Sequence, residues 1–97
     1  MTESDRPTVA DNADASRYEA HLDRQVVGYA EYTRAEGQVT FTHTVVDPAY
    51  EGKGVGSALA GGALDDARAR GESVVPRCEF IASYVDKHPA YADLVAS

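Results

Sequence analysis

Between positions 51 and 57 the chain reads Glu51-Gly52-Lys53-Gly54-Val55-Gly56-Ser57. Glycines at every second position, followed by an Ala/Leu-rich run, describe a loop that lets backbone approach a ligand and then opens a helix. The first N–H groups of a helix lack internal acceptors, and the dipole adds positive character there. The stretch therefore suits a phosphate or diphosphate. Lys53 adds a positive charge in an acidic chain. The bland alternative is a turn that only joins two elements. Two further residues carry chemistry of their own. His43 carries an imidazole, a side chain suited to proton abstraction from an ammonium. Its alternative is a core histidine, because it alternates with Val39, Phe41 and Val45 on one strand face. Cys78 follows Pro76-Arg77 at the start of a predicted helix, a setting for a thiolate nucleophile; its alternative is a small buried hydrophobe.

Two common phosphate motifs do not fit. The pattern G-x-x-x-x-G-K-[ST] needs glycine at 47 and a hydroxyl at 54, where the chain has Asp47 and Gly54. The pattern G-x-G-x-x-G fails at Ser57 when begun at Gly52, and at Leu59 when begun at Gly54.

The elements that must position these residues are legible as periodicities. Arg17–Leu22, Val26–Arg34 and Val39–Val46 alternate with period two and are joined by short turns, which predicts a three-stranded antiparallel meander. A helix over 56–70 carries Leu59, Ala60, Ala63, Leu64 and Ala67 as its apolar stripe, with Gly71 beyond it. Its pair Gly61-Gly62 is unfavourable by about 1 kcal/mol per glycine, which predicts close packing there. Residues 72–76 form a short strand that completes a β-α-β crossover parallel to 39–46. A second helix spans 79–87, with Phe80/Tyr84 and Ile81/Val85 as (i, i+4) pairs, and His88-Pro89 stops it. Tyr91, Leu94 and Val95 form a closing turn. Residues 1–15 are polar, acidic and aperiodic, which predicts a disordered tail before a single domain over 16–97. The fold class is α+β, a mixed sheet with helices.

A β-strand, then Glu51-x-x-Gly54-x-Gly56 at a helix start, resembles the acyl-CoA loop of the GNAT superfamily of N-acetyltransferases, written Q/R-x-x-G-x-G/A. Glu51 departs from the family's Gln or Arg. The resemblance extends over 16 to about 92: Phe41-Thr-His-Thr, Glu51-Gly-Lys-Gly, Val75-Pro-Arg-Cys78 and Tyr84 with His88-Pro89 look like the small single-domain branch of these proteins. It implies a minimal GNAT-like fold, acetyl-CoA as co-substrate, and direct attack by an amine. Val45 and Val46 would bond pantetheine through their backbone, and residues 51–57 would hold the diphosphate. Tyr84 falls near the family tyrosine that protonates the departing thiolate; its alternative is an aromatic packing residue. Direct transfer makes Cys78 a spectator rather than a nucleophile. The N-terminal helices that wall the acceptor site in many GNAT enzymes have no room here. The acceptor side is therefore expected to be open, or completed by a second copy in a homodimer. The competing reading is a non-catalytic acyl-CoA-binding or interaction module.

Composition narrows the partners. A net charge of −7 over 97 residues argues against nucleic acid and anionic membrane surfaces. The single cysteine offers no disulfide and a poor basis for a metal site. The chain shows neither a signal peptide nor a transmembrane run, so a cytoplasmic acetyltransferase acting on a small-molecule or protein amine is expected.

Overall fold

The computed structural model describes residues 6–96. One five-stranded sheet lies in sequence order: β1 (Thr8–Asn12), β2 (Arg17–Leu22), β3 (Gln25–Ala35), β4 (Gln38–Val46) and β5 (Ser73–Pro76). The first four strands are antiparallel neighbours, and β5 runs parallel to β4. Helix α1 (Val55–Ala69) makes the crossover between β4 and β5, and α2 (Glu79–Lys87) follows β5. The result is the α+β architecture expected. Two-residue turns close the β2–β3 and β3–β4 hairpins. Asp23-Arg24 and Glu36-Gly37 have positive φ at both positions, the conformation whose twist matches flanking antiparallel strands. Among the described residues no helix is long and apolar enough to cross a membrane.

The meander has four strands rather than three, because β1 lies inside the segment predicted to be a disordered tail. Composition misleads there because β1 is fixed by tertiary contacts rather than by its own apolar content. Val9 fills the space over Gly62 of α1, where an added Cβ would come within 3.0 Å of the valine side chain. Asp11 accepts from the Tyr32 hydroxyl at 2.5 Å and pairs with Arg70 at 3.0 Å. The ordered unit thus includes Thr8–Asn12 instead of beginning at residue 16; residues 1–5, also assigned to the tail, lie outside the described residues.

Helix α1 lays Val55, Leu59, Ala60, Ala63, Leu64 and Ala67 on the sheet against Tyr18, Ala20, Val39 and Phe41, all within 1% of full burial. Each large side chain removed from water in this way stabilises the fold by roughly 1.5–3 kcal/mol. The close packing predicted at Gly61-Gly62 has two partners: Val9 lies over Gly62, and the Tyr84 hydroxyl lies 3.1 Å from a Cβ at Gly61. Helix α2 buries Ile81 and Val85, while Phe80 on its other pair stays 41% exposed. The closing turn buries Leu94 and bridges Val95 to Val74 of β5.

One irregularity in β4 positions the site. Glu31 faces His43, but the next residue, Tyr32, faces Phe41, so Thr42 is an extra residue in β4. Its hydroxyl donates to the Glu31 carbonyl at 3.3 Å. A bulge reverses which face later residues take. Val39 and Phe41 point to α1. Beyond the bulge the register puts Thr44 and Val46 on that side and turns His43 and Val45 to the opposite face. The expectation that His43 shares a face with Val39 and Phe41 is therefore corrected. Its side chain is 72% exposed, which removes the core-histidine alternative.

Candidate active site

The β4–β5 ladder ends at Phe41 and Pro76. Proline has no N–H to continue it, and the chain bends away with Arg77 N–H donating to the Val75 carbonyl at 3.1 Å. The last tie is the Cys78 N–H to the Phe41 carbonyl, 2.9 Å. Past this point the β5-side backbone edge of residues 42–46 has no strand partner among the described residues, leaving a wedge between β4 and the start of α2. At its closed end Thr44 Oγ1 and Cys78 Sγ lie 3.2 Å apart. Cys78 is only 7% exposed and stands at the N-cap of α2 without a side-chain capping bond. Thr44 closes the Phe41-Thr-His-Thr segment, but its contact with Cys78 is not legible there; the bulge turns it toward Cys78.

The glycine loop closes the open end of the wedge. Asp47 caps a short turn over Pro48–Tyr50, and Gly52 and Gly54 take φ of 84° and 78°, left-handed values that favour glycine. Gly54 is the N-cap of α1 and offers no side-chain acceptor. The first helical bond runs from the Ala58 N–H to the Gly54 carbonyl, 2.9 Å. The amides of Val55, Gly56 and Ser57 are thus left without an intrahelical acceptor, and the first turn carries no acidic residue. They border a cavity of about 320 Å³ lined by Val46, Tyr50, Glu51 and Gly52 on one side and Phe80 on the other. Glu51 brings a carboxylate to this cavity. Lys53 is exposed and does not line it. Periodicity shows Phe80 as half of a helical pair and gives no sign of this contact. Its ring lies against Gly56, where an added Cβ would come within 2.8 Å of the ring edge and would displace the ring.

Tyr84 lines an adjoining cavity of about 120 Å³ with Ser57, Phe80, Ser83, Lys87 and His88. Its ring stacks on His88, centroids 3.9 Å apart, and its carbonyl meets His88 Nδ1 at 2.8 Å. The hydroxyls of Tyr18, Tyr32 and Tyr91 are committed to carboxylates. Tyr18 donates to Asp66 at 2.5 Å, and burial, with the Asp66 acceptor adding to it, pushes its hydroxyl far above the ordinary range. Tyr91 donates to Asp65, which together with burial pushes it up to about 12. The Tyr84 hydroxyl donates to no such acceptor among the described residues. His43 stands apart from all of these on the open face of the sheet, with Nδ1 3.6 Å from Glu31 Oε1. Val45 shares that face and is 44% exposed, while Val46 lines the loop cavity. The structure therefore gathers the loop residues, Val46, Tyr84 and Phe80 on the helix side of the wedge, holds Cys78 and Thr44 at its apex, and leaves His43 across the sheet edge.

Residues 17–94 match the family model described as GCN5-related N-acetyl-transferase. The chain belongs to the GCN5-related N-acetyltransferase family. Acyl transfer is the general chemistry of this family. Among solved structures this GNAT chain is similar to the solution structure of a "GCN5-like putative N-acetyltransferase" from Staphylococcus aureus. The TM-score is 0.68 at 16% sequence identity, over 99% of this chain and 92% of the other. At that identity the likeness concerns the fold, and it confirms the mixed five-stranded sheet. A search of curated protein sequences found none that matches the chain.

Proposed function

We propose that this GNAT protein is an acetyl-CoA-dependent N-acetyltransferase. The observation that carries the reading is the set of uncapped amides at Val55, Gly56 and Ser57, bordering a cavity that opens onto the unpaired edge of β4. A diphosphate on those amides would leave the pantetheine to run along residues 42–46, where backbone groups replace the missing strand. The thioester would then lie near the apex of the wedge, beside Thr44 and Cys78. Transfer is direct. The amine nitrogen attacks the thioester carbon, the carbonyl is re-formed, and the C–S bond breaks to give the acetamide and the CoA thiolate. The ammonium proton is lost to His43, directly or through water, and the thiolate takes a proton from Tyr84, whose hydroxyl is uncommitted. Cys78 stays a spectator because it is buried and engaged with Thr44.

The test is incubation with isotopically labelled acetyl-CoA and cell extract, with mass spectrometry of amine products. Label transferred to an amine supports the reading. Tight CoA binding without any labelled product would return the chain to the non-catalytic binding module.

A further inference from the structure

The sheet has a second face, turned away from α1 and α2, and its residues fall into rows set by strand register. One row is Arg17, Glu31 and His43; the next is Glu19, Tyr29 and Val45; the last is His21 and Val26. Resting on the acyl-transfer reading, we propose that this face is the acceptor site and that its substrate is a primary amine carrying an apolar group. The ammonium lies between Glu31 and His43, and the apolar group lies on Val45 and Val26.

Charge places the ammonium. Glu31 and His43 are 45% and 72% exposed, and they sit where β4 leaves its partner β5, at the edge of the wedge. Glu31 is the carboxylate of this face that remains available. Glu19 already accepts from Asn12 at 3.0 Å and from Arg17 at 2.9 Å, and Arg17 is drawn over the Tyr29 ring, 4.4 Å from its centroid. Shape places the apolar group. Val26 and Val45 are 43% and 44% exposed, and with Tyr29 they line a cavity of about 320 Å³ bounded by Arg17 and Asp47. Adjacent same-face rows lie ~7 Å apart, so an aromatic or branched group about two to four carbons from the nitrogen spans both. A polyamine would need a second free carboxylate; Glu19 is committed, and Asp47 at the rim of the cavity already accepts from the Ala49 N–H at 2.9 Å. The chemistry points to an arylalkyl or branched alkyl amine.

The experiment is an amide-resolved NMR titration of the CoA-saturated chain with 2-phenylethylamine, methylamine and spermidine, repeated on the CoA-free chain. Shifts should concentrate at Val26, Glu31, His43 and Val45, with 2-phenylethylamine binding at least tenfold tighter than methylamine. Val26→Thr keeps the β-branched shape and replaces one methyl with a hydroxyl; it should weaken 2-phenylethylamine by about fourfold and leave methylamine unchanged. Glu31→Gln should weaken both amines severalfold. CoA affinity and melting temperature should stay at wild-type values in both variants. Tighter binding of spermidine, shifts away from these rows, no binding of any amine, or indifference to both substitutions would overturn the proposal. Failure of the wild-type chain to bind CoA would count against the acyl-transfer reading instead, because the CoA-free titration reports on the acceptor face by itself.

Discussion

Thr44 and Cys78 meet, Oγ1 to Sγ 3.2 Å, at the point where β4 and β5 separate. Neither neighbour in sequence prepares this contact; the extra residue Thr42 turns Thr44 inward, and Pro76 ends β5 so that Cys78 arrives opposite it. A thiol held in this way and 7% exposed suits the spectator role proposed for it. Cys78→Ser should preserve the contact as a hydroxyl pair and keep turnover within a few-fold of wild type. Intact-mass analysis after incubation with acetyl-CoA and no acceptor should show no acetyl adduct. A stoichiometric adduct at Cys78 that an amine chases off would establish covalent catalysis.

Gly54 has φ of 78°, yet an added Cβ there meets nothing within 4 Å. Substitution therefore acts through backbone conformation and charge rather than through a clash. Gly54→Asp should weaken CoA by roughly 10- to 150-fold, the equivalent of one charge-assisted bond at about 1.5–3 kcal/mol. Gly54→Asn, which tolerates the left-handed conformation without the charge, should lose much less. Calorimetry on both folded variants separates the two contributions; equal losses would assign the effect to conformation alone.

Glu51 lines the loop cavity, where a carboxylate opposes a diphosphate. Glu51→Gln should raise CoA affinity by about two- to fivefold, with the gain shrinking as salt is added. Unchanged affinity at low ionic strength would mean that the diphosphate lies away from Glu51.

Tyr84→Phe removes the hydroxyl and keeps the ring stacked on His88. Turnover should fall by about 10²–10⁴ while CoA affinity and melting temperature hold. A loss of stability with turnover intact would make Tyr84 a packing residue of the α1–α2 contact.

The hydrogen bond from Asn12, the bond from Arg17 and the nearby His21 hold the Glu19 carboxyl below its usual range. A depressed folded value means the contribution is present above the ordinary glutamate pKa of about 4.5 and is lost as pH falls through that range and past the folded value. Chemical denaturation against pH should therefore show an acid-side decline that Glu19→Gln flattens. An unaltered slope in the variant would assign the decline to other carboxylates.

Much of this architecture was legible from local pattern. The strands 17–22 and 39–46, the loop, the α1 stripe from Leu59 to Ala67 and the parallel return at 72–76 follow from period, glycine spacing and a proline stop. The strand Thr8–Asn12 was not, because Val9 and Asp11 are held by Gly62, Tyr32 and Arg70 from distant positions, and its own composition is that of a tail. The face assignment of His43 failed for one reason: a single inserted residue reverses parity, and Thr42 looks like any other strand threonine. The roles of Phe80 and Thr44 are not legible in sequence because they lie in what these residues touch, Gly56 and Cys78. Glu31, placed opposite His43 by register, is likewise invisible to spacing.

The central claim is that the uncapped start of α1 holds the diphosphate of an acyl-CoA. An amide-resolved NMR titration of the full chain with acetyl-CoA, compared with pantetheine lacking the phosphates, tests it directly. The account predicts saturable, large shifts at the amides of Val55, Gly56 and Ser57 with acetyl-CoA and none there with pantetheine. Acetyl-CoA binding that leaves those three amides unmoved, or that shifts a different surface, would contradict it.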